Sequence, residues 1–261
     1  MKSSQSRSRI SVNSSNKELC RIEDDYGSVV VTQKGDRRVL SFDSSLEQSS
    51  IDMSRPHYLA HEYTQIMLLG LLFVSPKNIT ILGLGGGGLV HCLHHSYPQS
   101  DIQVAELRQS VIDVAYQWFN VPQTEKINII CTDAFEFLKS LSFESTDLIL
   151  SDLYEAKGMS EVQAQLEFIS VACNSLSQQS CLVLNFHHMP QEDEALMKYI
   201  KQIFNQVYVC DVFKGNRVVF CCKSNELLDQ DQLKLRIKEL TQTVEMPLMY
   251  YFKQMKILKD F

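Results

Sequence analysis

Ile79-Thr80-Ile81-Leu82-Gly83-Leu84-Gly85-Gly86-Gly87-Gly88 is the stretch that decides how this chain is read. Its first four residues are apolar or β-branched and make a buried strand. Glycines then stand at the first, third and sixth positions of the turn that follows. Such a turn lets backbone approach a nucleotide closely, and the helix it opens aims free N–H groups at the ligand. Glu106 ends the next apolar run, Ile102-Gln103-Val104-Ala105. An acid about 20 residues beyond the turn is placed to hold two ribose hydroxyls. The first expectation is a chain that binds a nucleoside-bearing small molecule, with an enzyme as the leading class.

Outward from this turn the pattern alternates. Strands are predicted at 78–83, 101–106, 127–131, 146–151 and 179–186, with helices at 86–96, 108–119, 133–141 and 160–176 between them. Continuous apolar strands alternating with helices specify a parallel sheet covered on both faces. A helix is expected near 191–204. The runs 207–213 and 217–222 follow, joined by Lys214-Gly215-Asn216, and predict an antiparallel hairpin at the sheet edge. Five parallel strands ending in a hairpin fit an α/β fold. They fit the Rossmann-like, seven-stranded sheet of class I transferases dependent on S-adenosylmethionine (AdoMet).

Upstream, 27–32 and 38–42 read as strands around a turn at Lys34-Gly35-Asp36, and 57–74 reads as a helix ended near Ser75-Pro76. The chain therefore divides into a disordered Ser-rich tail at 1–17, a small N-terminal β unit at 18–56 and a transferase domain at 57–261. The last stretch, 228–261, is helical in pattern, with Met246, Leu248, Met249, Tyr250, Tyr251 and Phe252 as packing residues.

Bulk properties narrow the class. A net charge of -6 over 261 residues disfavours a nucleic-acid binder drawn by a positive field. The longest apolar run, Ile66 to Val74, is far short of the roughly 18 residues that signal a membrane span. The first 17 residues lack the apolar segment of a secretory signal. Eight cysteines form no Cys-x-x-Cys pair and lie mostly in apolar runs, as in Ile129-Ile130-Cys131. They read as small core hydrophobes in a reducing, cytoplasmic setting.

Four acids fall at or just after predicted strand ends, where open α/β sheets bind ligands. Glu106 is the ribose candidate. Asp133 follows the third parallel strand and either accepts a bond from an adenine amino group or caps the next helix. Asp152 and Glu155 follow the fourth, in Asp152-Leu153-Tyr154-Glu155.

With these motifs in place, the chain resembles the spermidine synthase family, the polyamine aminopropyltransferases, from about residue 27 to 223. His61-Glu62 is similar to the end of that family's Tyr-His-Glu stretch. Gly83 to Gly88 matches its glycine loop, and Thr132-Asp133-Ala134 its Gly-Asp-Ala segment at the adenine. Asp152 and Glu155 stand where the family has Asp-x-x-Asp. The resemblance implies that Gly83, Gly85, Gly88, Glu106, Asp133 and Ala134 hold the nucleoside of AdoMet or decarboxylated AdoMet. It makes Asp152 the catalytic proton acceptor and places His61, Tyr154 and Glu155 at the acceptor substrate. The acceptor is a small molecule with an amine, and the protein a homodimer through its N-terminal unit. An alkylamine must lose a proton before it attacks a carbon beside a sulfonium, so a carboxylate base is needed. The sulfonium is already activated, so no metal is required.

The chain departs from the family at several positions. Gly86 stands where the glycine loop has an Asp that meets the amine of decarboxylated AdoMet, and Ala60 replaces the tyrosine before the histidine. The late Tyr-Pro-rich substrate segment is replaced by Lys214-Gly215-Asn216-Arg217. Three alternatives to aminopropyl transfer stay open. They are methyl transfer from AdoMet, a non-catalytic nucleoside-binding relative, and an NAD-dependent oxidoreductase.

Several residues carry a plainer reading. His91 and His95 have the spacing of a metal pair but no evident third ligand, and read as surface or packing histidines. His187-His188 and Arg55-Pro56-His57-Tyr58 either line the substrate side or serve their loops. Trp118 and Phe119 are expected to pack their helix against the parallel sheet.

Overall fold

The computed structural model describes residues 16–42, 47–155, 158–159, 161–187, 194–212, 215–225 and 228–258. Residues 1–15 of the expected tail, Phe213, Lys214, His188 and the side chain of Glu155 lie outside them.

β-branched residues and tight turns build the first sheet. Strands β1 (Lys17–Asp24), β2 (Gly27–Lys34), β3 (Arg37–Ser41) and β4 (Glu47–Asp52) form an antiparallel meander in that order. Two of these were not foreseen. β1 begins inside the expected tail, and β4 is a polar run that reads as loop. Val29, Val31, Leu40, Phe42 and Ile51 turn inward and form one apolar cluster.

The helix expected over 57–74 is shorter. After β4, Ser54 donates through both its N–H and its hydroxyl to the Asp52 carboxylate, and Tyr58 N–H bonds Arg55 carbonyl. These local bonds hold 52–58 in turns instead of helix. Helix α1 (Glu62–Met67) starts after His61 and tightens into a 3₁₀ turn at Leu68–Leu72. That turn is buried on all sides, and Gly70 lets it lie on Val183.

The second sheet carries β5 (Asn78–Leu82), β6 (Asp101–Glu106), β7 (Ile127–Cys131) and β8 (Thr146–Ser151), with α2 (Gly88–Ser96), α3 (Gln109–Phe119) and α4 (Ala134–Ser140) between them. Two-residue strands β9 (Tyr154–Glu155) and β10 (Gly158–Met159) pair with each other, and a 3₁₀ turn at Glu161–Ala164 leads to α5 (Leu166–Ser175). Then come β11 (Leu176–Phe186), α6 (Ala195–Ile203), β12 (Gln206–Asp211), β13 (Arg217–Cys222), α7 (Gln230–Thr243), α8 (Met249–Phe252) and β14 (Lys256–Ile257). The order across the sheet is β14-β12-β13-β11-β8-β5-β6-β7. Seven long strands give the expected architecture. The hairpin is antiparallel as expected, but β13 inserts beside β11 and the short β14 covers β12, so the hairpin is not the edge.

Residues of β11 alternate between the two faces. Cys181 and Val183 join the core under α1, α2 and α7, while Leu182, Leu184 and Phe186 join the core under α4, α5 and α6. Both faces are dry, which is why these strands read as unbroken apolar runs.

Three expectations need correction. Phe119 is fully buried and Trp118 partly so, but they pack with Val29, Val31 and Phe42 of the N-terminal sheet rather than on the parallel one. Cys131 is exposed, because β7 is an edge strand whose residues alternate toward solvent. Tyr250 is 66% exposed, because α8 is a single turn that buries only its neighbours' flank.

Phe119 thus ties α3 to the N-terminal sheet. Phe119→Ala is expected to lower unfolding stability by about 3–5 kcal/mol, the usual cost of emptying a buried aromatic site. Urea unfolding followed by far-UV circular dichroism measures it.

Candidate active site

Parallel strands leave their C-terminal ends open, and the ligand crevice forms where the chain reverses its direction across the sheet. Here that point lies between β5 and β8. From β5 the chain runs outward through β6 and β7, then crosses back to β8 on the other flank. The glycine turn closes β5 and Asp152 follows β8, with Asp152 N–H bonded to Leu82 carbonyl at 2.9 Å. Gly83 has φ +93, and a Cβ there would strike the carbonyl of Asp152. Only glycine lets the two strand ends close this tightly.

Gly87 caps α2 in a left-handed conformation (φ 82), and Gly88 is the first helical residue. The turn is held by Glu106. Its Oε2 accepts from Leu84 N–H at 2.9 Å and its Oε1 from Arg108 N–H at 3.0 Å, and Gly85 N–H adds a further bond. Burial raises the Glu106 pKa, while these backbone donors and the Arg108 charge oppose the rise.

Arg108 then reaches back to the N-terminal sheet. Its Nε and Nη2 donate to Asp24 at 3.0 and 2.8 Å, and Nη2 also donates to Gly27 carbonyl at 2.7 Å. Its guanidinium lies 4.6 Å from the centre of the Phe42 ring. β4 is thereby drawn over the glycine turn. A Cβ on Gly86 would meet Ser49 Oγ at 2.9 Å and two ring atoms of Phe119 at 3.1 and 3.2 Å.

Between these parts lies a cavity of about 410 Å³. Gly83, Gly85, Gly88, Glu106, Asp133 and Ala134 line it, and so do His61, Asp152 and Tyr154. Every site residue expected from the sequence whose side chain is described therefore faces one space. Asp133 also caps α4. Its Oδ1 accepts from Phe135 N–H at 2.8 Å and Glu136 N–H at 3.0 Å. The helix-cap reading of Asp133 is thus met, with both bonds using one oxygen.

Asp152 sits in a polar network that the sequence reading missed. Asn185 Nδ2 donates to Asp152 Oδ1 at 2.8 Å, and the Tyr63 hydroxyl donates to the same carboxylate. Asn216 Nδ2 donates to Asn185 Oδ1 at 3.0 Å and to the Tyr154 hydroxyl at 2.9 Å. Asn216 Oδ1 and His187 Nδ1 lie 2.9 Å apart. Beneath, Ser151 donates to Gln163 Oε1 and Gln163 Nε2 to Asn185 carbonyl, each at 2.8 Å. Asn185 was detectable as the one polar residue within Leu182-Val183-Leu184-Asn185-Phe186. Burial pushes the Asp152 pKa up to about 6, with the Asn185 and Tyr63 bonds opposing.

His61 occupies the extended position before α1, its ring stacked 5.7 Å from that of Tyr63. Among the described residues, its Nε2 is buried without a hydrogen-bond partner. Burial lowers its pKa, so the neutral imidazole is favoured. Pro56 and Tyr58 also line the cavity, whereas Arg55 lies over the Tyr58 ring. His91 and His95, read from the sequence as surface or packing histidines despite their metal-pair spacing, do not pair with each other. His91 is buried, with Nε2 2.9 Å from Phe119 carbonyl, and His95 stacks on His57 instead. Among the described residues, no helix is long and apolar enough to cross a membrane.

The chain is similar in sequence and fold to known proteins. The chain is 27% identical over 193 residues to a polyamine aminopropyltransferase of Neisseria meningitidis, covering 73% of this chain and 70% of that one. It is 28% identical over 221 residues to the eEF1A lysine and N-terminal methyltransferase of Bos taurus, covering 76% of this chain and 31% of the bovine protein. Both relatives are transferases. The fold matches human methyltransferase-like protein 13, solved in complex with SAH, at a TM-score of 0.64 and 22% identity, over 72% of this chain and 94% of that one. Residues 60–242 match the spermine/spermidine synthase domain, most of the chain and all of the cavity's strand-end walls, so the protein belongs to that family.

Proposed function

We propose that this chain transfers the methyl group of AdoMet to a small amine. The nitrogen lone pair attacks the methyl carbon, the carbon–sulfur bond breaks, and sulfur keeps the electron pair as S-adenosylhomocysteine. The proton lost from nitrogen goes to the Asp152 carboxylate. Gly83, Gly85 and Gly88 admit the nucleoside, Glu106 takes the ribose hydroxyls, and Asp133 with Ala134 meets the adenine. His61 and Tyr154 face the acceptor, and Glu155 is assigned to it by its place in the sequence motif alone. The Asp152 carboxylate on the acceptor side suits a cationic amine better than an anionic acceptor.

The observation that carries the choice of methyl is the crowding at Gly86, which keeps an acid out of the glycine turn. An acid here would have to displace both Ser49 and Phe119, which already close on the glycine. An acid would attract the lone ammonium of decarboxylated AdoMet and repel the carboxylate of AdoMet. A glycine roofed by a neutral hydroxyl has no such preference against the carboxylate.

Aminopropyl transfer is the second reading, favoured by the family match over 60–242. It keeps the same nucleoside grip and the same base. Thermal unfolding of the purified protein with AdoMet, S-adenosylhomocysteine or decarboxylated AdoMet separates the two. A ligand at 100 times its Kd stabilises by about 2.7 kcal/mol. AdoMet and S-adenosylhomocysteine are expected to raise Tm more than decarboxylated AdoMet. Stabilisation by decarboxylated AdoMet alone, with methylthioadenosine as the nucleoside product, would establish aminopropyl transfer instead.

The base adds a pH signature. Asp152 works as an acceptor only when ionised, so kcat/KM should rise as pH passes through about 6. Asp152→Asn should lower kcat by about 100-fold or more and remove that limb, as loss of a general base does.

The same carboxylate weakens the fold as it ionises. Its folded pKa of about 6 lies above the ordinary 3.8, so the native state holds a proton that the unfolded chain has released. Stability conferred by that proton is full below about pH 4 and lost as pH rises through about 6. Asp152→Asn should therefore raise Tm at pH 8 and leave it nearly unchanged at pH 4.

A further inference from the structure

Behind the cavity wall, three side chains from distant parts of the chain converge. His57 precedes α1, His95 lies in the last turn of α2, and Glu245 follows α7. The two imidazoles stack with ring centres 4.1 Å apart and planes 17° from parallel. His57 Nε2 lies 3.5 Å from Glu245 Oε2, and His95 Nε2 lies 3.7 Å from Glu245 Oε1. Three ligand atoms, one from each residue, lie within 4.8 Å of one another.

These separations are too long for hydrogen bonds, whose N–O distances run about 2.7–3.2 Å. They match another geometry. Four ligands at about 2.0–2.1 Å around a tetrahedral zinc-class ion stand roughly 3.3–3.4 Å apart. The two imidazoles approach different oxygens of the one carboxylate at near that value, and a turn of the stacked rings about their Cβ–Cγ bonds, with no movement of backbone, brings both in-plane lone pairs onto one ion. Two imidazole nitrogens and one carboxylate are the donor set that zinc, cobalt(II) and nickel(II) accept.

We propose that His57, His95 and Glu245 bind one divalent transition ion of this class, with water completing its coordination. The ion is structural. His57 lies between Pro56 and Tyr58, which line the cavity, so the ion staples that wall to the far end of the helix opened by the glycine turn. It also fixes the turn after α7. His91 takes no part, since its Nε2 faces Phe119 carbonyl.

The test uses the full chain, freed of metal by EDTA and dialysis, then titrated with ZnCl2 and CoCl2. Wild type should bind one equivalent tightly, rise in Tm with zinc, and show the visible absorption of four-coordinate cobalt(II). Losing an outer-shell partner already costs about 10- to 100-fold in metal affinity, so His95→Ala and Glu245→Gln should each lose at least that much. His94→Asn, on the same helix, should keep wild-type binding. Glu245 is 61% exposed, so its variant tests the site even if the His95 variant folds poorly. No saturable binding by wild type, or equal zinc affinity in wild type and Glu245→Gln, would overturn the site. So would a Tm rise produced by acid alone and unaffected by metal, which would make the cluster a proton-linked ion pair.

Discussion

The Glu106 carboxylate is the group on which this architecture turns. It ends β6, yet its two oxygens are bonded to backbone N–H groups of the glycine turn after β5 and of Arg108. One buried acid therefore fixes the turn, the neighbouring strand end and the entry to α3. Its burial is costly for a charge, and the surrounding donors offset that cost. Arg108 carries the brace onward to Asp24 and Gly27, so the N-terminal sheet is locked to the same point. The cavity is what remains between the parts that this brace holds.

Two walls of that cavity have opposite characters. At the glycine turn the lining comes from backbone and from carboxylates fixed by backbone donors. Across from it, Asp152 is held by the Asn185 amide of β11 and the Tyr63 phenol of α1, with Asn216 before β13 holding Asn185 in turn. Such a network fixes orientation while leaving the carboxylate poised near neutrality. A base with a pKa near the working pH can both take a proton and release it. The approach of β4 onto Gly86 links the walls, because it brings Ser49 of that strand to the cavity beside the glycine turn.

The core of the fold was legible in the chain. Strands 101–106, 127–131 and 146–151 occur as read, since buried parallel strands are unbroken apolar runs between turn residues. The placing of the glycine turn, Glu106, Asp133 and Asp152 around one cavity was legible because strand ends follow directly in sequence. What the chain hid was non-local. β4 is polar and gains strand form only by pairing with β3. Tyr63, Asn185 and Asn216 meet only once three separate elements fold, and no spacing announces that. The start of α1 was misread because Leu- and Met-rich periodicity continues into a segment whose backbone is claimed by Asp52 and Arg55. His95 was matched by spacing with His91, whereas folding gives it His57.

The most direct measurement is a crystal structure of the protein with S-adenosylhomocysteine. The account predicts the ribose hydroxyls on the Glu106 carboxylate, the adenine beside Asp133 and Ala134, and the sulfur facing Asp152, with Ser49 and Gly86 at the amino-acid end. A nucleoside bound elsewhere, or one whose ribose does not touch Glu106, would contradict it.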